Sequence, residues 1–131
     1  MCRYARLSFF LGLVLAAGAV IADTAAPVRA EIEALLSSLE SSGCDFNRNG
    51  TWYSAADAKK HLIRKLAYIE RRQDIGSTEQ FIALAASKSS MSGDPYLVRC
   101  AGGAPVRSSD WLSTRLRQLR VARSPARPAK D

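Results

Sequence analysis

Two cysteines, Cys44 and Cys100, stand 56 positions apart and constrain this chain more than any other feature of its sequence. If they form a disulfide, their Cα atoms must lie within about 7 Å, so the intervening chain must fold back on itself. On the chain-entropy model, closing such a loop stabilises a fold by about 4 kcal/mol. The pairing requires an oxidising compartment, because cytosolic thiols stay reduced. The third cysteine, Cys2, lies near the N-terminus.

The N-terminal segment indicates such a compartment. Arg3 and Arg6 precede an uncharged run at 7–22 that is rich in Leu, Val, Phe and Ala. A short basic region, an apolar stretch and small residues at its end are typical of a secretory signal peptide, and Ala22 fits cleavage before Asp23. An uncleaved anchor is the alternative, although a membrane span needs about 20 apolar residues. We therefore expect a protein that is periplasmic or secreted after cleavage.

The sequence divides into a signal peptide at 1–22, a single globular domain at 23–122, and a basic, proline-rich, disordered tail at 123–131. The length of 131 residues supports no more than one domain. Much of the net charge of +7 lies toward the C-terminus, from Arg115 onward. The tail predicts weak contact with an anionic membrane surface, or it is simply a solvated terminus. Export, and a tail without aromatic residues for base stacking, exclude nucleic acid as a partner.

Hydrophobic spacing and capping residues predict four helices and two or three short strands within the domain. The helices begin near Pro27, Ser54, Ser77 and Ser109, the strands cover 44–48, 51–53 and 96–100, and 101–108 is a loop. Antiparallel pairing of the first and third strands would bring Cys44 and Cys100 together. The predicted fold class is α+β, mainly helical, with a small antiparallel sheet of two to three strands and one structural disulfide. A redox-active pair is the alternative, but such pairs usually read Cys-x-x-Cys.

Five short motifs between the cysteines give the chain a resemblance to a known family. It resembles the YfeK-like proteins, small exported bacterial proteins with a domain of unknown function. The resemblance implies an exported single-domain protein of mixed helix and small sheet, and it implies no activity. The motifs are Phe46-x-Arg48-Asn49-Gly50, Ala58-x-x-His61-Leu62-x-x-Lys65, Glu79-x-Phe81-Ile82, Ala86-Ser87-x-Ser89-Ser90-x-Ser92-Gly93 and Pro95-Tyr96-x-Val98.

The second predicted helix carries the first candidate site. His61 is the only histidine, and with Lys65 and Tyr68 it lines one flank of that helix beside its apolar face. A partly buried His one turn from a Lys is suited to act as a general base or to bind an anion. The alternative is structural: the ring nitrogens bond to a neighbouring loop.

The second candidate is the polar segment 87–93, whose residues Ser87, Lys88, Ser89 and Ser90 are dense in hydroxyl groups. Three interpretations stay open: a nest that holds an anion, a serine nucleophile with His61 or Lys65 as its base, or a helix end whose hydroxyls satisfy free backbone groups. Arg48, beside the predicted Asn-Gly turn, is a further candidate as a hydrogen-bonding finger for a carboxylate, or it needs no role beyond the turn.

The predicted function is an exported, monomeric, non-catalytic binding protein that engages an envelope protein or an anionic ligand. Its binding surface would combine the helix flank of His61 and Lys65 with the serine-rich segment. The alternative is a small serine hydrolase that uses a Ser of the 87–92 cluster with His61 or Lys65. We expect no cofactor, because the sequence lacks phosphate-binding and dinucleotide-binding motifs, and no metal, because soft ligands are too few.

Overall fold

The computed structural model describes residues 24–125, which form four helices and one four-stranded sheet. The signal peptide predicted at 1–22 and residues 126–131 of the tail lie outside the described residues. In chain order the elements are α1 (Ala26–Glu40), β1 (Asp45–Arg48), β2 (Thr51–Ser54), α2 (Ala55–Glu70), α3 (Thr78–Ala85), β3 (Leu97–Arg99), β4 (Val106–Arg107) and α4 (Ser108–Arg123).

Local sequence signals explain where the helices begin. The first turn of α1 contains Pro27, whose ring pre-sets a helical backbone. The hydroxyl of Ser54 caps α2 by accepting a hydrogen bond from the backbone N–H of Asp57 at 3.2 Å, and Ser77 caps α3 through the N–H of Gln80 at 3.1 Å. With α4, which begins at Ser108, all four predicted helices are present.

The sheet is antiparallel with the strand order β2-β1-β3-β4. Asn49 and Gly50 join β1 to β2 with φ angles of 52° and 81°, a left-handed turn that the Asn-Gly pair favours. The fourth strand corrects the predicted loop at 101–108, because Val106 and Arg107 pair with β3. Two residues are too few to show an alternating pattern, so this strand cannot be recognised from hydrophobic periodicity.

The predicted disulfide is confirmed. Cys44 and Cys100 are bonded, with their Cα atoms 4.3 Å apart, and they adjoin the paired ends of β1 and β3. The same pairing sets Phe46 opposite Val98 in the core. The cross-link therefore ties together the two central strands of the sheet.

The helices and one face of the sheet share a single core. Helix α1 packs against the other three helices, while α2 and α4 also contact the strands. The apolar line predicted for α2 is buried, with Leu62 fully enclosed and Leu66 nearly so. Helix α2 therefore presents its polar flank next to the end of β1. Within residues 24–125, no helix combines the length and hydropathy that crossing a membrane requires.

Candidate functional site

Four polar side chains from three parts of the fold meet beside helix α2. Arg48 Nη1 lies 2.8 Å from His61 Nδ1, and His61 Nε2 lies 3.2 Å from the hydroxyl of Tyr96. Lys65 donates hydrogen bonds to the same Tyr96 hydroxyl at 3.2 Å and to the backbone carbonyl of Lys88 at 3.1 Å. The structure thus brings together three of the predicted site residues and adds Tyr96.

The register of the sheet explains how these residues meet. His61 and Lys65 are one turn apart on α2 and face the same side. Arg48 ends β1, and Tyr96 immediately precedes β3. Continuing the observed β1–β3 pairing by one position sets Arg48 opposite Tyr96. Sequence reasoning missed this juxtaposition, although the two cysteines carried the signal, because a bridge between directly opposed residues fixes that register.

The hydrogen bonds assign the proton of the histidine ring. A guanidinium group only donates, so His61 Nδ1 must accept from Arg48 and the ring proton must sit on Nε2. The Nε2 proton is then donated to the Tyr96 hydroxyl, which also accepts from the ammonium group of Lys65. Tyr96 therefore accepts twice, and no acceptor among residues 24–125 takes its own hydroxyl proton.

The surroundings shift the pKa values of these groups. Burial, together with the positive charges of Arg48, Lys65 and Arg64, lowers the pKa of His61 from 6.5 to about 4, so the ring is neutral at neutral pH. Burial, and then the charge of Arg48, lowers the pKa of Lys65. Burial raises the pKa of Tyr96, which keeps its proton. Burial is the main cause of all three shifts and favours the neutral forms; nearby positive charge reinforces it for His61 and Lys65 and opposes it for Tyr96.

A pocket of about 260 Å³ opens at this group of side chains, and we call it the Arg48 pocket. Among residues 24–125 no acidic side chain lines it, and Tyr96 of its lining is only 2% exposed. Its lining contains Ser89 and Ser90 from the predicted serine-rich surface. The described residues that line it are Arg48, Asn49, His61, Lys65, Tyr68, Ser89, Ser90, Met91 and Tyr96.

The two cations of the Arg48 pocket have no carboxylate partner within the described part of the chain. Arg48 bonds to His61 and lies 5.0 Å from the ring centre of Tyr53, and Lys65 bonds to a hydroxyl and a carbonyl. By contrast, Lys59, on the same helix as Lys65, pairs with Glu40 at 2.5 Å. The positive charge of the pocket is therefore not neutralised from within the described fold.

Residues of the serine-rich segment differ in their place: Ser89 and Ser90 line the Arg48 pocket, whereas Ser87 and Lys88 do not. The hydroxyl of Ser87 donates to the Ile82 carbonyl at 2.7 Å and so completes the end of α3. Ser89 is buried and accepts two backbone N–H groups, each at 3.3 Å, which shape the loop. Lys88 contributes its carbonyl to Lys65 and does not line the pocket.

The structure shows no nucleophile–base pair among these groups. Both ring nitrogens of His61 are occupied by Arg48 and Tyr96, and within residues 24–125 no hydroxyl of the 87–92 cluster bonds to His61 or Lys65. In the same part of the chain, no three His, Cys, Asp or Glu side chains gather as a metal site would need. The geometry is that of a pocket rich in hydrogen-bond donors.

Comparisons with known proteins give the chain a family. Residues 26–120 match a family of unknown function, DUF5329. The chain is also 38% identical to the uncharacterized protein YfeK of Salmonella typhimurium over 76 residues, which are 57% of this chain and 62% of that protein, so the match spans less than two thirds of the relative. No solved structure matches the chain. The resemblance to YfeK-like proteins is therefore confirmed, and this chain belongs to the family of unknown function DUF5329.

Proposed function

We propose that this protein is an exported, non-catalytic binding protein whose Arg48 pocket holds an anionic group of an envelope ligand or protein partner. One observation carries the proposal: two partly buried cations, Arg48 and Lys65, face the pocket without a carboxylate from the described fold. Hydrogen bonds that involve charged groups are roughly twice as strong as neutral ones. An oxyanion bound between Arg48 and Lys65 would therefore form strong hydrogen bonds to both.

The neutral histidine supports this role. Because His61 donates its one proton to Tyr96, it offers the ligand neither a base nor an additional charge. It instead holds Arg48 and Tyr96 in place from its two ring nitrogens. His61 is thus a positioning residue, and the contacts to the ligand fall to Arg48, Lys65 and the hydroxyls of Tyr96, Ser89 and Ser90.

The test compares two lysines on the same helix. Inorganic phosphate and acetate are titrated at low salt into the unmodified protein, Lys65→Met and Lys59→Met, with affinity measured by calorimetry. We expect Lys65→Met to weaken binding about tenfold or more, the usual effect of losing a charged hydrogen bond. Lys59→Met should bind as the unmodified protein does, because Lys59 is neutralised by Glu40 outside the pocket. Equal affinities in all three proteins, or no binding of either anion, would overturn the proposal.

Export is tested separately from binding. The protein is expressed with its native N-terminus, cells are fractionated, and the mass of the product is measured with and without reductant. We expect a periplasmic or secreted product that begins at Asp23 and carries one disulfide, because segment 1–22 has the pattern of a cleaved leader. A full-length product that stays in the cytoplasm would contradict this part of the proposal.

A further inference from the structure

We infer that the ligand carries two phosphoryl groups joined by a short link, one in the Arg48 pocket and one in an adjoining pocket, an inference that rests on the proposed function. The adjoining pocket has a volume of about 220 Å³, and we call it the Arg64 pocket. Arg48 and His61 line both pockets, so they form the wall between them. A ligand that fills both would pass directly over the Arg48 guanidinium.

The Arg64 pocket also carries excess positive charge. Arg48, Lys60 and Arg64 line it, against one acid, Asp57. Lys60 and Asp57 form a weak pair at 3.8 Å, and both side chains are more than half exposed. No side chain within residues 24–125 pairs with Arg64. After Lys60 and Asp57 cancel, Arg48 and Arg64 remain to attract a second anion.

Phosphoryl groups fit the Arg48 pocket because several of its polar groups have hydrogen-bond donors that no acceptor of the described residues uses. Tyr96 and Ser89 each accept two hydrogen bonds, and neither has an acceptor for its own hydroxyl proton among the described residues. The ammonium group of Lys65 uses two of its three protons within the protein. A phosphoryl group presents three strong acceptor oxygens and no obligatory donor. It matches this set better than a carboxylate, which has two oxygens.

The shared wall limits how far apart the two groups can be. Arg48 is one side chain whose planar guanidinium carries five donors in a fork, of which Nη1 serves His61. Its Nη2 donates to the Tyr53 hydroxyl at 3.5 Å, and because this one guanidinium lines both pockets, its remaining donors can serve an oxyanion in either pocket. Two phosphoryl groups joined by a bridging oxygen, as in a phosphoanhydride, would let the second group bind as an intramolecular event. The inferred ligand class is thus a diphosphate.

The first experiment compares pyrophosphate with inorganic phosphate by calorimetry at equal ionic strength. The proteins are the unmodified chain, Arg64→Gln, Lys65→Gln and the charge-matched control Lys59→Gln. We expect pyrophosphate to bind roughly tenfold more tightly than phosphate, as expected when a second contact is gained on one ligand. Arg64→Gln should remove that preference by weakening pyrophosphate much more than phosphate, whereas Lys65→Gln should weaken both ligands.

The outcomes separate the two proposals. Equal affinity for phosphate and pyrophosphate, or an equal loss of pyrophosphate binding in Arg64→Gln and Lys59→Gln, would overturn the diphosphate inference while the Arg48 pocket stands as an anion site. No binding of either ligand, or binding that Lys65→Gln leaves intact, would overturn the proposed function and this inference together.

A second arm identifies the source of the diphosphate, since the same chemistry occurs in soluble molecules and in lipid headgroups. The protein is sedimented with phosphatidylcholine vesicles that contain either diacylglycerol pyrophosphate or phosphatidic acid. Arg64-dependent binding to the first kind alone assigns the site to a lipid diphosphate. Binding of free pyrophosphate without vesicle binding assigns it to a soluble one.

Discussion

Two regions of this molecule bring charged side chains together with residues from distant parts of the sequence, and they differ in whether carboxylates neutralise the basic ones. In the first, which we call the Arg120 cluster, Arg120 of α4 pairs with Glu31 of α1 at 2.7 Å and with Glu79 of α3. Thr78 completes it by donating to Glu31 at 2.6 Å. In the Arg48 pocket no carboxylate within the described residues lines the cavity.

The pKa values of titratable groups are lowered in both regions, but for different reasons. Hydrogen bonds from Arg120 lower the pKa of both Glu31 and Glu79, which stabilises their charged forms together with the fold. In the Arg48 pocket, burial and neighbouring positive charge lower the pKa of His61, which keeps the ring uncharged. Arginine thus links three helices through ion pairs in the Arg120 cluster, whereas in the Arg48 pocket its positive charge is not neutralised by a carboxylate of the described residues. The position of the carboxylates, rather than the number of arginines, separates a structural contact from a candidate site.

The largest expected effect follows loss of the disulfide, which should destabilise the strands beside the Arg48 pocket more than the helices of the Arg120 cluster. Replacing both Cys44 and Cys100 by Ser should lower the free energy of unfolding by about 2–5 kcal/mol. The bridge ties the strands that position Arg48 and Tyr96, whereas the Arg120 cluster lies on helices. Hydrogen exchange should therefore quicken more in β1 and β3 than in α1, and equal quickening would contradict this view.

The second effect is removal of the hydroxyl that both pocket donors share. Tyr96→Phe leaves the His61 Nε2 and Lys65 donors without this acceptor, so we expect a loss of about 1–3 kcal/mol in stability by chemical denaturation. Phosphate affinity should fall as well, because the substitution removes a hydroxyl donor from the pocket lining. Tyr68→Phe is the matched control, since Tyr68 lines the same pocket but is 51% exposed. Equal effects of the two substitutions on stability and phosphate affinity would contradict a role for the Tyr96 hydroxyl as the shared acceptor of His61 and Lys65.

The third effect separates the two regions by pH. The pKa of His61 is depressed in the fold, so the unfolded chain binds its proton first and stability falls as pH drops from 6.5 toward about 4. We expect this loss to be of order 1 kcal/mol, after a discount for the partly exposed ring. The carboxyls of Glu31 and Glu79 also have lowered pKa values, so their contribution is present above 4.5 and is lost below it.

Two variants check this assignment by thermal melting across pH. His61→Asn should flatten the loss between pH 6.5 and 4 and leave the fall below pH 4.5 in place. Arg120→Gln should flatten only the fall below 4.5, because Glu31 and Glu79 then lose the partner that lowers their pKa. A flattening of the same window by both variants would merge the two regions and remove the contrast.

Sequence reasoning found the parts of this fold that rest on local signals. Ser54 and Ser77 marked helix starts, Asn49 and Gly50 marked the hairpin, and the cysteines predicted the pairing of β1 with β3. These features depend on backbone geometry within a few residues, or on a covalent bond, and the sequence states both directly. The four-stranded sheet was underestimated because the two-residue β4 has pairing but no pattern.

The sequence predicts a surface of the His61–Lys65 flank and the serine-rich segment, but not that Arg48 and Tyr96 meet it. His61 and Lys65 share a helix flank, which periodicity shows, and Arg48 stood out beside the turn. That Tyr96 joins them depends on strand register and on the packing of α2, which are tertiary facts. Ser87 was grouped with the pocket because hydroxyl density cannot distinguish a helix end from a binding loop, and its bond to Ile82 decides the matter.

The smallest effect concerns Arg120 and sharpens the comparison most directly. Its side chain is 44% exposed, and exposed ion pairs contribute about 0–1 kcal/mol each, so Arg120→Gln should lower stability by roughly 1 kcal/mol at low salt. Salt screens such pairs, so the difference should shrink in 1 M NaCl, where the Debye length is about 3 Å. Phosphate affinity should not change, because Arg120 lines neither pocket.

Arg48→Gln is the counterpart to Arg120→Gln. It should abolish phosphate binding, and the stability of this variant should depend little on salt, because Arg48 has no carboxylate partner within residues 24–125 to lose. If Arg120→Gln weakened phosphate binding as much as Arg48→Gln, the anion would be responding to the overall charge of the protein, and the contrast between the neutralised cluster and the open pocket would lose its meaning.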